Sequence, residues 1–589
     1  MQLLTPLTLF SLLWIGGSAA VIANVNQLPP GNFDFIIVGG GVAGSVLANR
    51  LSEVSKFKVL LIEAGASNEG VLASQVPFLY QTLAGSQYDW NYTTTAQSGF
   101  AGRSIAYPRG KILGGTSSIN AMIYTRGTIE DWNRWADITG DIGWSWSRIY
   151  PYFIKHEKYR PPADGHNTLG QFNPLIHGYN GMTSTSLTAT PQPFDSRVLA
   201  ASAELGGDFK YNLDINSGSP LGLGYLQCTI GQGTRSSAAT SYLGAGVLKR
   251  SNLYVLLNTQ VTRVLPDTAR GAKTPSFRKV EITLAGGVKK VLQAKREVIL
   301  AAGAIGSPNI LMQSGIGDSA ELTGVGVTPV LNHPSVGKNL TDHIQLVTLY
   351  ASNSSSPLNS INMNETLVAE ALAQWKATKT GPLTNPLPGN HLIYNRIPKN
   401  LVTTDPAAGK NSPHFELVPG NAGLIFNGLS TFLMGVILLT PTSRGTIKLQ
   451  SNNPLTSPLI NPNYLANDID RVAARESIRA SRRFVGANAF QGFIVAEFPT
   501  TSSLLSDADL DAYVSQSGTV ALHAAGTAAM SARNANYGVV DPDLRVKDAT
   551  GLRVVDASIM PFLPSAHTQV PVYVLAERAA DLIKLANII

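Results

Sequence analysis

The sequence contains a single cysteine, Cys228, among 589 residues. An intrachain disulfide and a cysteine-based zinc site are therefore excluded, and we expect no metal centre. Charged residues make up only 14% of the chain, against 44% hydrophobic residues, which excludes a mostly disordered protein. A chain of this length exceeds one compact core, so we expect two closely packed domains.

Long runs of one residue class are also missing. The net charge is +7, but lysine and arginine are scattered, without the basic cluster that is typical of nucleic-acid binding. No apolar stretch is long enough for a membrane span, which needs about 18 residues or more. We therefore expect no nucleic-acid partner and no membrane span, and we favour a monomer.

The N-terminus has the pattern of a secretory signal peptide, although its positively charged region is weak. Leu3 to Ile15 is mostly apolar, and small residues follow up to Ala20. This pattern predicts a signal peptide over residues 1–20 and a secreted, extracellular protein. N-x-S/T sequons fit a secreted glycoprotein, and they begin at Asn91, Asn339, Asn353 and Asn364.

A strand–helix–strand pattern follows the leader. Phe33 to Val38 and Lys58 to Glu63 are apolar runs typical of buried strands, and Ser45 to Glu53 has helical periodicity. The motif Gly39-x-Gly41-x-x-Gly44 lies between the first strand and the helix, and Glu63 ends the second strand about 20 residues later. The glycines permit a tight turn, close approach of a pyrophosphate and helix–strand packing, and Glu63 is placed to bind a ribose diol. This unit predicts a dinucleotide site for either FAD or NAD.

Three further segments decide between these cofactors. Pro108 to Asn120 and Ala304 to Gly317 are glycine-rich loops, and Gly551 to Pro571 contains Asp556, Ala557 and His567. Together with the first motif, these segments resemble the signatures of the glucose–methanol–choline (GMC) oxidoreductases, in the same order. The resemblance covers nearly everything from Phe33 to Ile583 and is strongest to fungal aryl-alcohol oxidases and their relatives. It implies an FAD-dependent enzyme that oxidises CH–OH groups.

The resemblance also implies a fold. We expect an α/β protein, α+β overall, with a Rossmann-like FAD-binding domain and a discontinuous substrate-binding domain built on an antiparallel sheet. The FAD-binding domain is expected in residues 33–105, 240–340 and 512–589. The substrate-binding domain and the loops that cover the flavin are expected in 106–239 and 341–511.

Cofactor contacts are carried over motif by motif. Glycines of the first motif and Glu63 would hold the ADP half, and the second loop would lie along the flavin and pyrophosphate. The backbone at position 261 would contact adenine, and the C-terminal block would border the ribityl chain and the pyrimidine ring. The implied cofactor-binding residues are Gly39, Gly41, Gly44, Glu63, Arg109, Gly114, Gly115, Ser118, Asn120, Val261, Asp556, Ala557, Thr568, Gln569 and Val570.

Ile119 is informative because relatives that bind FAD covalently carry histidine at or near this position. Isoleucine has no atom that can form such a bond. We therefore expect non-covalent FAD.

Two histidines are expected to act on the substrate. By resemblance, His523 and His567 face the reactive nitrogen of the flavin. A neutral imidazole is an efficient base for the hydroxyl proton, because removing that proton eases hydride loss from carbon. We assign His523 as the base and His567 as the group that orients the substrate oxygen. The other seven histidines are expected to be exposed or packed ones, at positions 156, 166, 177, 333, 343, 391 and 414.

The expected substrate pocket departs from that of the aryl-alcohol oxidases. Those enzymes usually have His-Tyr where this chain has Asn120-Ala121, and phenylalanine where it has Leu522. Alanine replaces the usual proline after the first catalytic histidine, and Phe426 is the only nearby candidate for the third pocket aromatic. Loss of two rings widens the pocket, so a primary aryl or furanic alcohol, a bulkier alcohol or a sugar would fit.

Several functions stay open at this point. The favoured one is an oxidase that converts a primary alcohol to the aldehyde, passes the electrons to O2 and releases hydrogen peroxide. A dehydrogenase with a quinone acceptor is the second, and a non-redox FAD-containing cyanohydrin lyase or an inactive flavin-binding protein is less favoured. A hydrolase of the α/β type is disfavoured because the chain has no Gly-x-Ser-x-Gly motif.

Overall fold

The computed structural model describes residues 21–267, 274–284, 287–354, 361, 364–426 and 428–588. The predicted signal peptide, residues 1–20, therefore lies outside the described residues. Two large sheets dominate the fold. Their strands, in chain order, are β1 (Val21–Ile22), β2 (Phe33–Val38), β3 (Val59–Ile62), β4 (Gly222–Tyr225), β5 (Leu253–Leu256), β6 (Gln260–Leu265), β7 (Lys279–Thr283), β8 (Lys289–Leu300), β9 (Ile344–Ser352), β10 (His391–Asn395), β11 (Phe415–Phe426), β12 (Leu429–Leu438), β13 (Ile494–Glu497), β14 (Thr519–Val520) and β15 (Leu552–Val554).

Helices cover both sheets. The longer ones are α1 (Val42–Ser52), α2 (Ile129–Thr139), α3 (Trp146–His156), α4 (Asp195–Leu205), α5 (Gly303–Gln313), α6 (Glu365–Thr378), α7 (Asp468–Val485), α8 (Asp507–Ser517) and α9 (Gln569–Ile588). Short helices span Leu72–Gln75, Ala238–Tyr242, Ala245–Leu248, Ser319–Gly324 and Pro499–Ser502. Short paired strands span Tyr92–Thr93, Ala106–Tyr107, Glu157–Tyr159, Thr183–Leu187, Gln227–Cys228, Ile230–Gly231, Thr234–Arg235, Ile316–Gly317, Leu331–Asn332, Thr446–Lys448 and Leu459–Asn461.

The first sheet is parallel through its centre. Its strands lie in the order β1-β5-β3-β2-β8-β7-β6, with β15 also paired to β8. The pairs from β1 to β8 are parallel, whereas β7 runs antiparallel to both β8 and β6. Strands β2 and β3 are apolar and almost fully buried, as expected for a parallel sheet covered on both faces. The predicted Rossmann-like unit is confirmed.

The second sheet is antiparallel, with strands in the order β13-β9-β12-β11-β10-β4 and β14 paired to β9. Residues of β9, β11 and β12 line a large cavity, and α7 contacts strands of this sheet. The predicted pairing of a Rossmann-like domain with a domain built on an antiparallel sheet is therefore confirmed. Strand β14 joins the antiparallel sheet, although it falls in the 512–589 segment that we expected in the FAD-binding domain.

The carboxyl ends of the parallel strands define one edge of the first sheet. The residues that follow β2, β3, β8 and β15 all line the same cavity, which lies between the two sheets. Ligands of open parallel sheets bind at this edge. The topology thus brings segments from distant parts of the sequence to one site.

Candidate active site

The cavity has a volume of about 970 Å³. Its lining contains residues from the glycine loop after β2, from the loop before Asn120, from β9, β11 and β12, and from the segment before α9. A site of this size, with apolar walls and a few convergent polar groups, suits a large organic ligand. The cavity is the candidate active site.

The glycine loop brings backbone against backbone at one end of the cavity. A Cβ at Gly44 would lie 1.8 Å from the Gly39 carbonyl oxygen, and one at Gly39 would lie 2.6 Å from the Ala301 carbonyl oxygen. A Cβ at Gly115 would lie 2.7 Å from Gly41 Cα. Gly41 itself caps α1 without a side-chain hydrogen bond, so the first amides of this helix remain open to an anion.

Glu63 closes the same end of the cavity. Its Oε2 accepts a hydrogen bond of 2.7 Å from the Gly40 amide, and its Oε1 accepts one of 2.7 Å from the Gly65 amide. Burial raises the pKa of Glu63 to about 7. A ribose diol that donates hydrogen bonds would stabilise the ionised form of this carboxylate.

The glycine cradle, the open helix terminus and Glu63 together fit the ADP half of FAD. Arg109, which also lines the cavity, lies over the ring of Tyr107, with its guanidinium carbon 4.4 Å from the ring centre. Its Nη2 atom is buried without a hydrogen-bond partner. Asp556 accepts hydrogen bonds from the Gly303 amide (2.9 Å) and from Ser307 Oγ (2.6 Å), and so ties the first turn of α5 to the end of β15.

Most of the sequence-predicted cofactor residues line the cavity. They are Gly39, Gly41, Glu63, Arg109, Gly115, Asn120, Val261, Asp556, Ala557, Thr568 and Gln569. Gly44, Gly114, Ser118 and Val570 lie behind its wall. Ser118 Oγ donates to the Leu113 carbonyl at 2.8 Å, and Val570 is fully buried, so both shape the wall from behind.

The two predicted catalytic histidines meet in the cavity. The ring centres of His523 and His567 are 4.7 Å apart, and their planes stand at 81°. His567 Nε2 lies 3.1 Å from Oε1 of Glu416, a fully buried carboxylate on β11. The His567 backbone amide donates to Thr125 Oγ1 at 2.8 Å, which fixes the start of the segment before α9.

His523 is held by a third histidine and by an aspartate. Its Nδ1 lies 3.0 Å from Nδ1 of His343, and its backbone amide donates to Asp342 Oδ1 at 2.6 Å. Asp342 Oδ2 in turn accepts from Tyr107 and Tyr464 hydroxyls. Leu522, directly before the histidine, has a φ of 66°, a backbone conformation that a leucine adopts only where its surroundings impose it.

Burial and nearby positive charge keep His523 neutral. Its pKa lies well below the usual value because the ring is desolvated and because His567, His343 and Arg109 oppose a further positive charge. Burial lowers the pKa of His343 to about 3. Both rings are therefore neutral at pH 7, and one of the two Nδ1 atoms must donate to the other.

Sequence reasoning missed His343, Asp342 and Glu416. His343 was expected to be an ordinary exposed or packed histidine, and the structure instead places it against His523. No local spacing links positions 343 and 523, since the contact exists only because β9 and the segment after β14 are neighbours. Glu416 carried a usable signal, because a lone carboxylate stands in an otherwise apolar strand, Phe415 to Val418.

Two of the three predicted substrate-pocket residues line the cavity. Ala121 and Leu522 line the same cavity as the two histidines. The backbone of Phe426 pairs with Leu429 at the end of β11, and its side chain lies outside the described part of the structure. Asn421, also on β11, adds a buried polar side chain to the lining.

The predicted glycosylation sites differ in exposure. Asn91, Asn353 and Asn364 are exposed, whereas Asn339 is half-buried. The Asn339 Oδ1 accepts from Arg444 Nε at 3.0 Å, and its Nδ2 lies 3.4 Å from the Gly526 carbonyl oxygen. These contacts disfavour a glycan at Asn339.

The described residues contain neither a membrane-spanning helix nor a cluster of metal-ligating side chains. No described helix is both long and apolar enough to cross a bilayer. Within the same residues, His, Cys, Asp and Glu side chains form no group of three that could hold a metal ion.

Comparison with known proteins identifies the family. The N-terminal and C-terminal models of GMC oxidoreductase match residues 33–345 and 441–576. A pyranose dehydrogenase of Agaricus campestris is 42% identical over 598 residues, which cover 98% of this chain and 98% of the relative. Among solved structures, formate oxidase of Aspergillus oryzae superposes with a TM-score of 0.85 at 28% identity (95% of this chain, 99% of that chain), and a fungal aryl-alcohol oxidase with 0.82 at 25% identity (95% and 100%). The chain belongs to the GMC oxidoreductase family and is an FAD-dependent enzyme that acts on alcohols or sugars.

Proposed function

We propose that this protein oxidises a CH–OH group of a sugar or a related primary alcohol, with His523 as the base, and passes the electrons to a quinone. The observation that carries the proposal is the pair of His523 and His567 in one cavity, each ring held by a buried partner. Bound FAD supplies the acceptor for the hydrogen that leaves the substrate carbon.

His343 would determine which nitrogen of His523 acts as the base. For Nε2 to accept the hydroxyl proton, the single proton of the neutral His523 ring must sit on Nδ1. His523 Nδ1–H would then donate to His343 Nδ1 across the 3.0 Å contact. We infer that His343 selects the active tautomer and fixes the ring orientation, as the third member of a catalytic triad does.

His567 would hold the substrate oxygen. Its Nε2 lies 3.1 Å from Oε1 of Glu416, so the buried carboxylate orients the ring. A ring N–H of His567 directed at the substrate oxygen would stabilise the negative charge that develops there as His523 removes the proton.

The pocket favours a hydroxyl-rich substrate over an aromatic one. Ala121 and Leu522 leave no ring at two positions where aryl-alcohol oxidases carry aromatics, so a benzylic ring loses its stacking partners. Asn421 adds polar lining on β11. The similarity to a pyranose dehydrogenase over nearly the whole chain supports both the sugar substrate and the non-oxygen acceptor.

An anaerobic absorbance titration of the purified holoprotein tests this proposal. Glucose, benzyl alcohol and furfuryl alcohol are added separately, and then air or benzoquinone is admitted. Bleaching by glucose that benzoquinone reverses at once and air reverses slowly is the expected result. Rapid recovery in air identifies an oxidase instead. Absence of bleaching by every alcohol contradicts the redox proposal and leads to a cyanohydrin cleavage assay.

We also propose that FAD is bound without a covalent link. Ile119 lines the cavity and packs with Leu83 and Ile112 in a small apolar cluster. Acid precipitation is therefore expected to release all the flavin into the supernatant, measured by its absorbance. Yellow colour that stays with the washed pellet would contradict the interpretation of Ile119.

FAD affinity is expected to weaken as the pH falls below about 7. In the apoprotein the pKa of Glu63 is about 7, so the carboxyl is protonated below that pH and must lose its proton to accept hydrogen bonds from the ribose. The dissociation constant for FAD should increase as the pH falls below 7, by up to about tenfold for each pH unit. Flavin-fluorescence titrations of the apoprotein between pH 5.5 and 8.5 measure this dependence.

The Glu63→Gln variant is the matched control for that titration. It keeps the shape of the side chain but cannot ionise, so its weaker FAD binding should lose the pH dependence. If wild type and variant show the same slope, another group is responsible.

Secretion and domain limits complete the proposal. We propose that residues 1–20 are removed on export and that glycans are attached at Asn91, Asn353 and Asn364. We further propose that 33–105, 240–340 and 512–589, apart from β14, form the FAD-binding domain, with 106–239 and 341–511 as the substrate-binding domain and flavin-covering loops. Mass spectrometry of the secreted protein, before and after deglycosylation, tests the first two points.

A further inference from the structure

Arg235 is a buried cation whose hydrogen-bond acceptors are all neutral. Only 3% of its surface is exposed. Nε donates to the Ser74 carbonyl at 2.8 Å, and Nη1 donates to the Ser117 carbonyl at 3.1 Å and to the Asn120 carbonyl and Oδ1 at 2.7 and 2.9 Å. Nη2 is buried without a partner. Within the described chain, no carboxylate forms an ion pair with it.

Other buried arginines of this protein are paired with carboxylates. Arg126 contacts Glu157 at 2.8 Å, and Arg553 contacts Glu297 at 2.5 Å. The ionisable groups that act on Arg235 are the phenols of Tyr80 and Tyr573, which are neutral at pH 7. Burial lowers the pKa of Arg235 to about 9, so the guanidinium remains charged at neutral pH. An unpaired buried charge is costly, and ionisable groups with strongly perturbed pKa values cluster at functional sites.

The guanidinium lies directly behind the cavity wall. Asn120 lines the cavity, accepts two hydrogen bonds from Arg235 and donates its own amide to Gln569 Oε1. Gln569 also lines the cavity and is the first residue of α9, a helix of 20 residues. The positive end of this helix and the charge of Arg235 therefore act on the same part of the cavity.

We propose that Arg235 is a buried counter-charge that acts through Asn120 and Gln569 to raise the reduction potential of the bound flavin. The inference rests on the proposed placement of the flavin, with its pyrimidine ring beside Gln569. The isoalloxazine gains negative charge on this ring when it is reduced. A fixed positive charge in a low-dielectric wall stabilises that form over the neutral oxidised form, and nearby charge is a recognised means of tuning a flavin.

The test uses two variants of the holoprotein, each checked first for stoichiometric FAD. Arg235→Gln removes the charge and keeps hydrogen-bond donors, whereas Arg235→Lys keeps a charge. Sulfite is the probe, because it adds to the oxidised isoalloxazine and leaves a negative charge on the pyrimidine ring without any alcohol chemistry. We expect R235Q to bind sulfite at least about tenfold more weakly and to lose about 30 mV in midpoint potential. The sulfite affinity of R235K, measured at pH 6, should stay within about threefold of the wild-type value.

Each alternative outcome overturns the proposal in a distinct way. If R235Q has the same sulfite affinity and midpoint potential as wild type, the charge of Arg235 does not influence the flavin. Equal shifts in R235Q and R235K mean that Arg235 only holds the loop. Weaker FAD binding at an unchanged potential means that Arg235 serves the pyrophosphate.

The wild-type protein gives an independent check, since it should bind sulfite more tightly than free FAD does. Equal or weaker sulfite binding overturns the proposal even if neither variant folds. Alcohol bleaching of wild type is unaffected by these outcomes, so failure here differs from failure of the proposed function.

Discussion

Replacing His523 with alanine is expected to slow reduction of the flavin by substrate at least about 100-fold while FAD stays bound. The hydroxyl proton then has no acceptor, because the neighbouring His567 is held by Glu416 and is assigned to the substrate oxygen. Anaerobic stopped-flow absorbance, with the substrate that the titration identifies, measures the rate. The loss should appear in the rate at saturating substrate rather than in substrate binding.

Two controls separate the loss of a base from the loss of a packed ring. Alanine leaves space where the imidazole stood, so added imidazole should restore part of the rate in H523A. His391 is a buried histidine outside the cavity lining, and H391A should keep the wild-type rate if it folds. Flavin reduction at an unchanged rate in H523A would refute the base assignment.

The base is part of a hydrogen-bonded chain rather than an isolated residue. His343→Asn offers an oxygen acceptor near His523 Nδ1, and His343→Leu offers none. If His343 selects the tautomer of His523, the asparagine variant retains more of the rate than the leucine variant. Both variants remove the same buried ring, so a purely structural role of His343 would slow both of them equally.

Local sequence patterns predicted which segments meet at the glycine loop. The glycine loop, α1 and Glu63 lie within one continuous stretch, so spacing alone fixes their relation in space. The positions of His523 and His567 came from a resemblance over whole motifs, and the structure brings both into the cavity.

Contacts between distant segments were not predictable in this way. His343 meets His523, and Glu416 meets His567, only after the antiparallel sheet has formed. The family resemblance implies this sheet, but it does not give the register that decides which side chains meet across distant segments. Ser118 and Val570 show a second limit of sequence motifs. Both belong to a matched motif and were predicted to contact the cofactor, but the motif does not show that they lie behind the cavity wall.

The alanine variant of Gly41 is expected to lose FAD without losing its fold. A Cβ at Gly41 meets nothing closer than 3.9 Å, the distance to Gly115 Cα, and its φ of −72° suits alanine. The new methyl group would instead occupy the space through which a pyrophosphate approaches the α1 amides. We expect FAD affinity to fall at least about 100-fold, which corresponds to about 2.8 kcal/mol.

Gly44 gives the contrasting case, and Gly324 gives the control. A Cβ at Gly44 would lie 1.8 Å from the Gly39 carbonyl oxygen, so G44A should destabilise the apoprotein itself, by about 1–3 kcal/mol or more. A Cβ at Gly324 meets nothing within 4 Å, and G324A should change neither property. Denaturant unfolding of the three apoproteins, followed by FAD titration, separates the two effects. If G41A binds FAD as wild type does, the pyrophosphate does not approach this turn; if G41A unfolds as readily as G44A, the glycine serves the fold rather than the cofactor.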